Sequence, residues 1–446
     1  MELFGTAGIR GPVTEVTPEL AVQVGQAAAT AAGGGEFAVG RDGRETGEAL
    51  AAGVTAGLLA GGADVVRAGQ VPTPALAFAS RGRRGVMVTA SHNPPADNGL
   101  KLFVDGEEYD REAERAVEDG VDATPADWDQ WGGVERVDTL DPYRETVADY
   151  ARDYGSDADG LTVAVDCGNG MASLATPQVL TSVGAETRAL NANVDGHFPA
   201  RGSKPTAGTL ADLRAFVADG ADLGIGHDGD ADRIVIVDGE GEVVHEDTVL
   251  AILAEHYTRE SDAADPVVVT TPNASGRIDE RVQAAGGRVE RVRLGALHEG
   301  VASARAAGDA DTSVVFAAEP WKHMHPELGG WIDGVASAVV FTRLAAAEGL
   351  AALREPVTER PYRKESVPCP DDRKAAAMDR LRETLPDALP EATVDTDHGV
   401  RLDLPDGSWT LVRPSGTEPY VRVYAESEDV DALVATVRER VEAAVE

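Results

Sequence analysis

Three aspartates, Asp228, Asp230 and Asp232, alternate along the loop His227-Asp-Gly-Asp-Ala-Asp-Arg233. Carboxylates gathered on one side of a glycine-containing turn offer hard oxygen ligands, the donor set that suits Mg²⁺. A calcium EF-hand loop needs glycine at its sixth position and glutamate at its twelfth. Arg233 and Gly239 stand there, so that reading fails. Ser91 lies in Thr89-Ala-Ser-His-Asn-Pro94, where a hydroxyl, an imidazole and an amide follow an apolar run. Such a loop suits either a nucleophile or a phosphate cradle. No Gly-x-Ser-x-Gly elbow surrounds Ser91 and His92 adjoins it, which argues against a Ser-His-Asp hydrolase. Arg413-Pro-Ser-Gly-Thr-Glu-Pro419 combines the guanidinium fork of Arg413, the hydroxyls of Ser415 and Thr417, and a backbone opened by Gly416. That is the composition of a phosphate clamp. Near the amino end, Phe4-Gly-Thr-Ala-Gly-Ile-Arg-Gly11 sets Arg10 among glycines, consistent with close backbone approach to a ligand. Gly40-Arg-Asp-Gly-Arg44 reads as a structural turn.

The chain that must position these groups has 446 residues, room for three or four compact units, and 43% hydrophobic residues supply their cores. Against 40 Lys plus Arg stand 77 Asp plus Glu, a formal charge of −37. This excludes non-specific binding to nucleic acid or anionic membranes, which takes clustered positive charge. No apolar run is long enough to span a bilayer, and no secretory leader is evident. Two cysteines, Cys167 and Cys369, make neither a disulfide framework nor a thiolate metal site, and a reducing cytoplasm is the expected setting. Only five basic residues are lysine, so Lys101, Lys204, Lys322, Lys364 and Lys374 carry more information than a lysine usually does. The acidic excess points to adaptation to a salty cytoplasm, because self-repulsion at this charge needs screening.

Helical patterns at Pro18–Ala32 and 46–61 alternate with short strands at 36–40, 64–68 and 85–89. The pattern recurs with strands at 161–165 and 223–226 and a hairpin at 233–244, then with strands at 266–270, 288–293 and 312–316. A last segment carries a helix at 375–384 and strands at 400–404, 409–412 and 421–426. The expected fold is α/β: three mixed α/β domains with largely parallel sheets (1–145, 146–247, 248–356) and a smaller C-terminal α+β domain (357–446). Loops at the carboxyl ends of strands form the ligand edge of such domains. The Ser91 loop, the aspartate loop and Ala318-Glu-Pro-Trp-Lys-His323 all follow apolar strands.

Taken in order, the four motifs resemble the α-D-phosphohexomutase superfamily, whose members move a phosphoryl group between C1 and the terminal carbon of a sugar phosphate. The resemblance covers essentially the whole chain and implies four domains around a central cleft. It makes Ser91 the phosphoserine, with Asp228, Asp230, Asp232 and a Ser91 phosphoryl oxygen holding Mg²⁺. Lys101 matches a lysine beside the phosphoserine, Arg10 and Arg233 match arginines that assist transfer, and Arg413, Ser415, Gly416 and Thr417 match the clamp for the non-reacting phosphate. A sugar bisphosphate is the implied intermediate and activator, and a monomer or homodimer the implied assembly. The family usually reads Gly-Glu-x-Ser-Gly-His in its sugar loop. Here Glu319 and His323 keep their spacing, while Trp321 replaces the serine and Lys322 the glycine. His323 is the acid/base candidate by spacing, with His325 close enough to replace it. Hexose substrates (mannose, glucose or glucosamine phosphates) are expected. A ribose phosphate is the alternative, because Trp321 adds bulk and removes a hydroxyl partner. A Mg²⁺-dependent phosphosugar phosphatase or a non-catalytic sugar-phosphate binder is more remote: the clamp speaks against the first, and Ser91 with Lys101 against the second.

Overall fold

The computed structural model describes residues 3–5, 8–416 and 418–445. It divides into two compact units, Met1–Glu246 with Trp321–Leu353, and Asp247–Pro320 with Arg354–Glu446. In the first unit, a seven-stranded sheet runs in the order Ile9–Pro12, Asp97–Val104, Arg84–Val88, Gly35–Arg41, Ala63–Gln70, Val134–Arg136, and Glu107–Glu108 pairs with Asp97–Val104. Its last four strands on that path are mutually parallel, and Asp97–Val104 runs antiparallel to both its long neighbours. The helix Pro18–Ala32 starts where Thr17 accepts from the Leu20 amide and Pro18 pre-sets the first turn, and it stops at the left-handed Gly33. It packs against Gly47–Ala60 at a distance only glycine permits: a Cβ on Gly57 would lie 2.0 Å from the Val22 carbonyl oxygen. Val24, Leu50, Val54 and Leu58 from these helices close over Phe37, Val39 and Val65 of the sheet.

A second sheet in the same unit orders Ile234–Asp238, Leu223–His227, Thr162–Asp166 and Glu186–Leu190. The last three are parallel and the first closes antiparallel. The hairpin expected at 233–244 forms, with Asp238 Oδ1 accepting from the amides of Glu240 and Glu242 across a turn at Gly241.

The second unit contains Asp265–Thr270 between parallel Arg288–Arg291 and Thr312–Glu319. It also holds a five-stranded antiparallel sheet ordered Tyr362–Pro368, Tyr420–Glu426, Trp409–Pro414, Val400–Asp403, Thr393–Asp395, packed under Asp371–Thr384 and Val430–Val445. The expected helix at 375–384 begins four residues earlier, at Asp371, because Pro370 precedes it and Asp371 and Asp372 suit the positive end of the helix dipole. The fold class is the mixed α/β arrangement expected, with mainly parallel sheets and an antiparallel C-terminal one.

Candidate active site

Strand Arg84–Val88 delivers Thr89 and Ser91, both fully buried, at the start of a loop whose tip, residues 94–96, is exposed. Ser91 sits in the left-handed region at φ 51, an uncommon conformation for serine that the surroundings must hold. Thr89 Oγ1 accepts from the Ser91 amide at 2.9 Å and donates to Asp42 Oδ2 at 2.7 Å. Arg44, its side chain wholly buried, donates to four carbonyls of this loop: Ser91, Asn93, Pro94 and Asp97, at 2.6–2.9 Å. Its Nε pairs with Asp42 at 3.0 Å. The segment expected to be a mere turn, Gly40–Arg44, is therefore the clamp of the serine loop. Sequence reading missed it; the signal was an Asp-x-Arg pair directly after a buried strand.

Opposite Ser91, the strand Leu223–His227 ends in the aspartate loop, and Ser91 Oγ donates to Asp228 Oδ2 at 2.8 Å. Gly229 allows this approach, since a Cβ there would meet the Ser91 carbonyl oxygen at 2.7 Å. His227 braces the loop from beneath, with Nδ1 at 2.8 Å from the Arg233 carbonyl and Nε2 at 3.0 Å from Thr176 Oγ1. Burial lowers its pKa to about 4, so the bracing imidazole is neutral at neutral pH. Thr73 donates to Asp230 Oδ2 at 2.7 Å.

The three carboxylates offer ligand atoms that all lie within 4.8 Å of one another. Among the described residues, Asp230 Oδ1 and both oxygens of Asp232 are buried without a hydrogen-bond donor, an arrangement that fits a cation. Burial and the neighbouring charges of Asp232 and Asp230 push the Asp228 carboxyl well above its usual range. Burial also raises Asp232, but Lys322, Lys101, Arg233 and Arg10 outweigh it and hold this carboxylate far below. Lys322 Nζ lies 3.5 Å and Lys101 Nζ 3.6 Å from Asp232 Oδ2. Arg233 Nε stands 3.6 Å from Asp228 and 3.7 Å from Asp232. Arg10 comes from the edge strand Ile9–Pro12, its Nε and Nη2 buried without an acceptor among the described residues. Lys101 donates at 2.8 Å to Glu108 on the neighbouring strand, a partner sequence reading did not find. Burial, Arg233 and Arg10 take His92 down to about 3, leaving it neutral beside Ser91.

Other expected residues stand elsewhere. His323 and His325 are both buried and converge on one hydroxyl, Ser337 Oγ, at 3.1 and 2.8 Å. Burial lowers each to about 3, which suits a structural imidazole better than a proton donor at neutral pH. Trp321 adopts φ 71 and lays its half-buried indole on the core formed by Ala164, Leu210, Val217 and Val235, with Lys204 Nζ 5.9 Å from the ring. Its carbonyl accepts from the Ile234 amide, so this tryptophan ties its loop to the second sheet. In the second unit, Glu319 accepts from the Gly295 amide. Arg413 donates to Tyr424 Oη at 3.0 Å, Ser415 is buried, and the Gly416 face is open. Lys374 Nζ holds the Ser415 and Glu418 carbonyls, each at 2.6 Å. Thr417 lies outside the described residues.

A buried serine donating to a cation-ringed trio of aspartates, on α/β sheets, has the composition that phosphoryl transfer uses. The family models described as phosphoglucomutase/phosphomannomutase alpha/beta/alpha domain I, alpha/beta/alpha domain II and C-terminal domain match residues 1–127, 141–241 and 366–444. The chain is 42% identical over 440 residues to a phosphopentomutase of Thermococcus kodakarensis, covering 96% of this chain and 94% of that protein. It is also 42% identical over 439 residues to a protein named "Probable phosphoglucosamine mutase" of Methanopyrus kandleri, covering 95% and 94%. A solved phosphoglucomutase/phosphomannomutase family protein from Burkholderia thailandensis superposes with a TM-score of 0.86 at 26% identity, covering 99% of this chain and 96% of that one. The chain belongs to the phosphoglucomutase/phosphomannomutase family, within the α-D-phosphohexomutase superfamily. It is an enzyme of the isomerase class, an intramolecular phosphotransferase.

Proposed function

We propose that the enzyme isomerises sugar phosphates by carrying a phosphoryl group on Ser91. The observation that carries this reading is the Ser91 Oγ–Asp228 hydrogen bond of 2.8 Å inside a ring of Arg10, Lys101, Arg233 and Lys322, of which Lys101 is buried and the others half-buried. A phosphoserine adds about −2. Three aspartates and that group need fixed cations, and phosphoryl transfer is mainly positioning plus charge stabilisation. Phosphorylated Ser91 donates to the free hydroxyl of a sugar monophosphate, and the bisphosphate so formed returns its other phosphate to Ser91. Each transfer is matched by one proton in the opposite sense: Ser91 Oγ gains a proton as the accepting sugar hydroxyl loses one, and in the return step Ser91 Oγ loses its proton as the sugar oxygen that releases phosphate gains one. Asp228, Asp230 and Asp232, with a phosphoryl oxygen of Ser91, are the residues that would hold Mg²⁺. Bound there, the ion supplies charge neutralisation on the moving group. Arg10, Lys101 and Arg233 stabilise the same charge; Arg413, Ser415, Gly416 and Thr417 hold the far phosphate, and Glu319 with Lys322 the sugar. We keep His323 as a residue of the sugar loop, where its burial argues for shaping rather than proton transfer. Domain limits at 145, 247 and 356 complete this reading.

Hexose or hexosamine phosphates are the first substrate reading. A pentose phosphate is the second, favoured because Trp321 replaces a hydroxyl partner and because one relative at 42% identity is a phosphopentomutase. The packed indole narrows the argument to the missing hydroxyl, since the ring lies against the core. Assays with the 1-phosphates of glucose, mannose, glucosamine and ribose separate the two. Ser91→Ala should abolish isomerisation, and intact mass should show a phosphoryl group on the parent but not the variant. Full activity in the variant overturns the proposal. No helix among the described residues is long and apolar enough to cross a membrane. A cytoplasmic, salt-adapted enzyme fits the charge of −37, and unfolding on dialysis into low salt is the matching test.

A further inference from the structure

Away from the Ser91 loop, the first sheet places two arginines side by side. Val39, Arg67 and Arg136 stand in register on three parallel strands, so the side chains of Arg67 and Arg136 leave the same face about one strand spacing apart, ~4.8 Å. They line a cavity of about 240 Å³ with Val39, Ala51, Arg41 and Glu48. Arg41 is partly neutralised, its Nε donating to Glu48 at 2.9 Å. Among the described residues, the guanidiniums of Arg67 and Arg136 have neither an ion pair nor a hydrogen-bond partner, although carboxylates outnumber basic groups 77 to 40 in this chain. Like charges abreast on adjacent strands destabilise a sheet. Two of them facing a cavity are relieved by an anion, and guanidinium forks match the geometry of a phosphate. At the end of the same strand, Asp42 turns to Thr89 and Arg44 while Arg41 turns to the cavity, so this pocket and the serine loop occupy different sides of the sheet.

We propose that this cavity is a second anion site, which binds a phosphate dianion, free or as a small monoester, between Arg67 and Arg136. The apolar wall of Val39 and Ala51 accepts the ester's organic group. The site is independent of the reaction assigned to Ser91, so its test must not depend on turnover. Equilibrium dialysis with radiolabelled inorganic phosphate, at fixed high ionic strength, should show one equivalent more on the parent enzyme than on an Arg67→Gln/Arg136→Gln variant. Crystals soaked in tungstate should place an anomalous peak between the two guanidiniums, absent from the variant, whatever peak the Arg413 loop shows in both. Glycerol phosphate displacing the label more effectively than inorganic phosphate identifies a monoester site, and the reverse order identifies free phosphate. Equal binding by parent and variant, or chloride displacing the label as well as phosphate does, overturns the proposal. Arg136→Gln alone gives a separate reading, because removing one of two abutting charges should raise the melting temperature of the anion-free enzyme by about 1–2 °C. A lower melting temperature in phosphate-free buffer refutes the like-charge argument.

Discussion

The two loops to which we assign phosphate chemistry are held in different ways. Ser91 itself is buried, and Arg44, also buried, fastens four carbonyls of its loop while itself pairing with Asp42. The Arg413 loop is fastened by Lys374 at two carbonyls, with Arg413 resting on Tyr424 and Gly416 exposed. The difference suits the tasks proposed for them. A reacting atom has to be fixed to a fraction of an ångström, because small misplacements cost large factors in rate. A loop that grips the far end of a substrate must also let go. Buried multivalent clamping serves the first and a lighter tether the second.

The largest test of that contrast removes the buried clamp. Arg44→Met leaves Asp42 as an uncompensated buried charge and strips donors from four carbonyls, so stability should fall by about 3–5 kcal/mol. If enough protein folds to assay, turnover should drop by about 10²-fold with Ser91 still present. Denaturant melts and steady-state assays report both. A loss below about 1 kcal/mol means the loop is held by something other than Arg44.

Acid offers a second test, since His92, His227, His323 and His325, with pKa values near 3 or 4, all belong to the first unit. Their folded pKa values lie below the unfolded 6.5, so the unfolded chain binds protons more tightly between those limits. Stability is therefore full above about pH 6.5 and is lost as pH falls toward 4 and 3, by up to about 3 kcal/mol for His227 alone. Hydrogen exchange at pH 5 should speed up around His227 and His323 before it does in strands 400–403 and 409–414. His227→Gln should flatten the acid limb. Uniform opening of both units would contradict this.

How much of this was readable beforehand follows from which interactions are local. The aspartate triplet, Ser91 and the parallel strands announce themselves because alternation and strand-end loops lie within a few residues. Strand Asp97–Val104 was not anticipated: it starts at Asp-Asn-Gly, a turn signature, and only its antiparallel pairing with 84–88 and 9–12 makes it a strand. Arg44 and Glu108 were missed for the same reason, since the carbonyls and the ammonium they meet lie tens of residues or a hairpin away. Trp321 was legible as a substitution but not as an anchor. Nothing local says that its ring turns onto Leu210 and Val235.

Glu108 tests whether the serine side also depends on pairs beyond its clamp. It holds Lys101 at 2.8 Å while Lys101 faces Asp232 at 3.6 Å. Glu108→Gln keeps the shape but weakens the hold on the ammonium, and kcat should fall by about 10-fold with little change in KM. Glu108→Asp should recover part of it. An equal fall in both variants with a lowered melting temperature would make Glu108 structural only.

The smallest effect belongs to the lighter tether. Lys374→Met frees the Ser415 and Glu418 carbonyls at a half-buried position, so stability should change by no more than about 1 kcal/mol. The loop gains freedom that substrate binding must then remove, which raises KM by about 3–10-fold while kcat stays within a factor of about two. If kcat instead falls as far as it does in Arg44→Met, the second loop is as tightly built into the chemistry as the first. The contrast between a clamp for the reacting group and a tether for the bound one would then no longer hold.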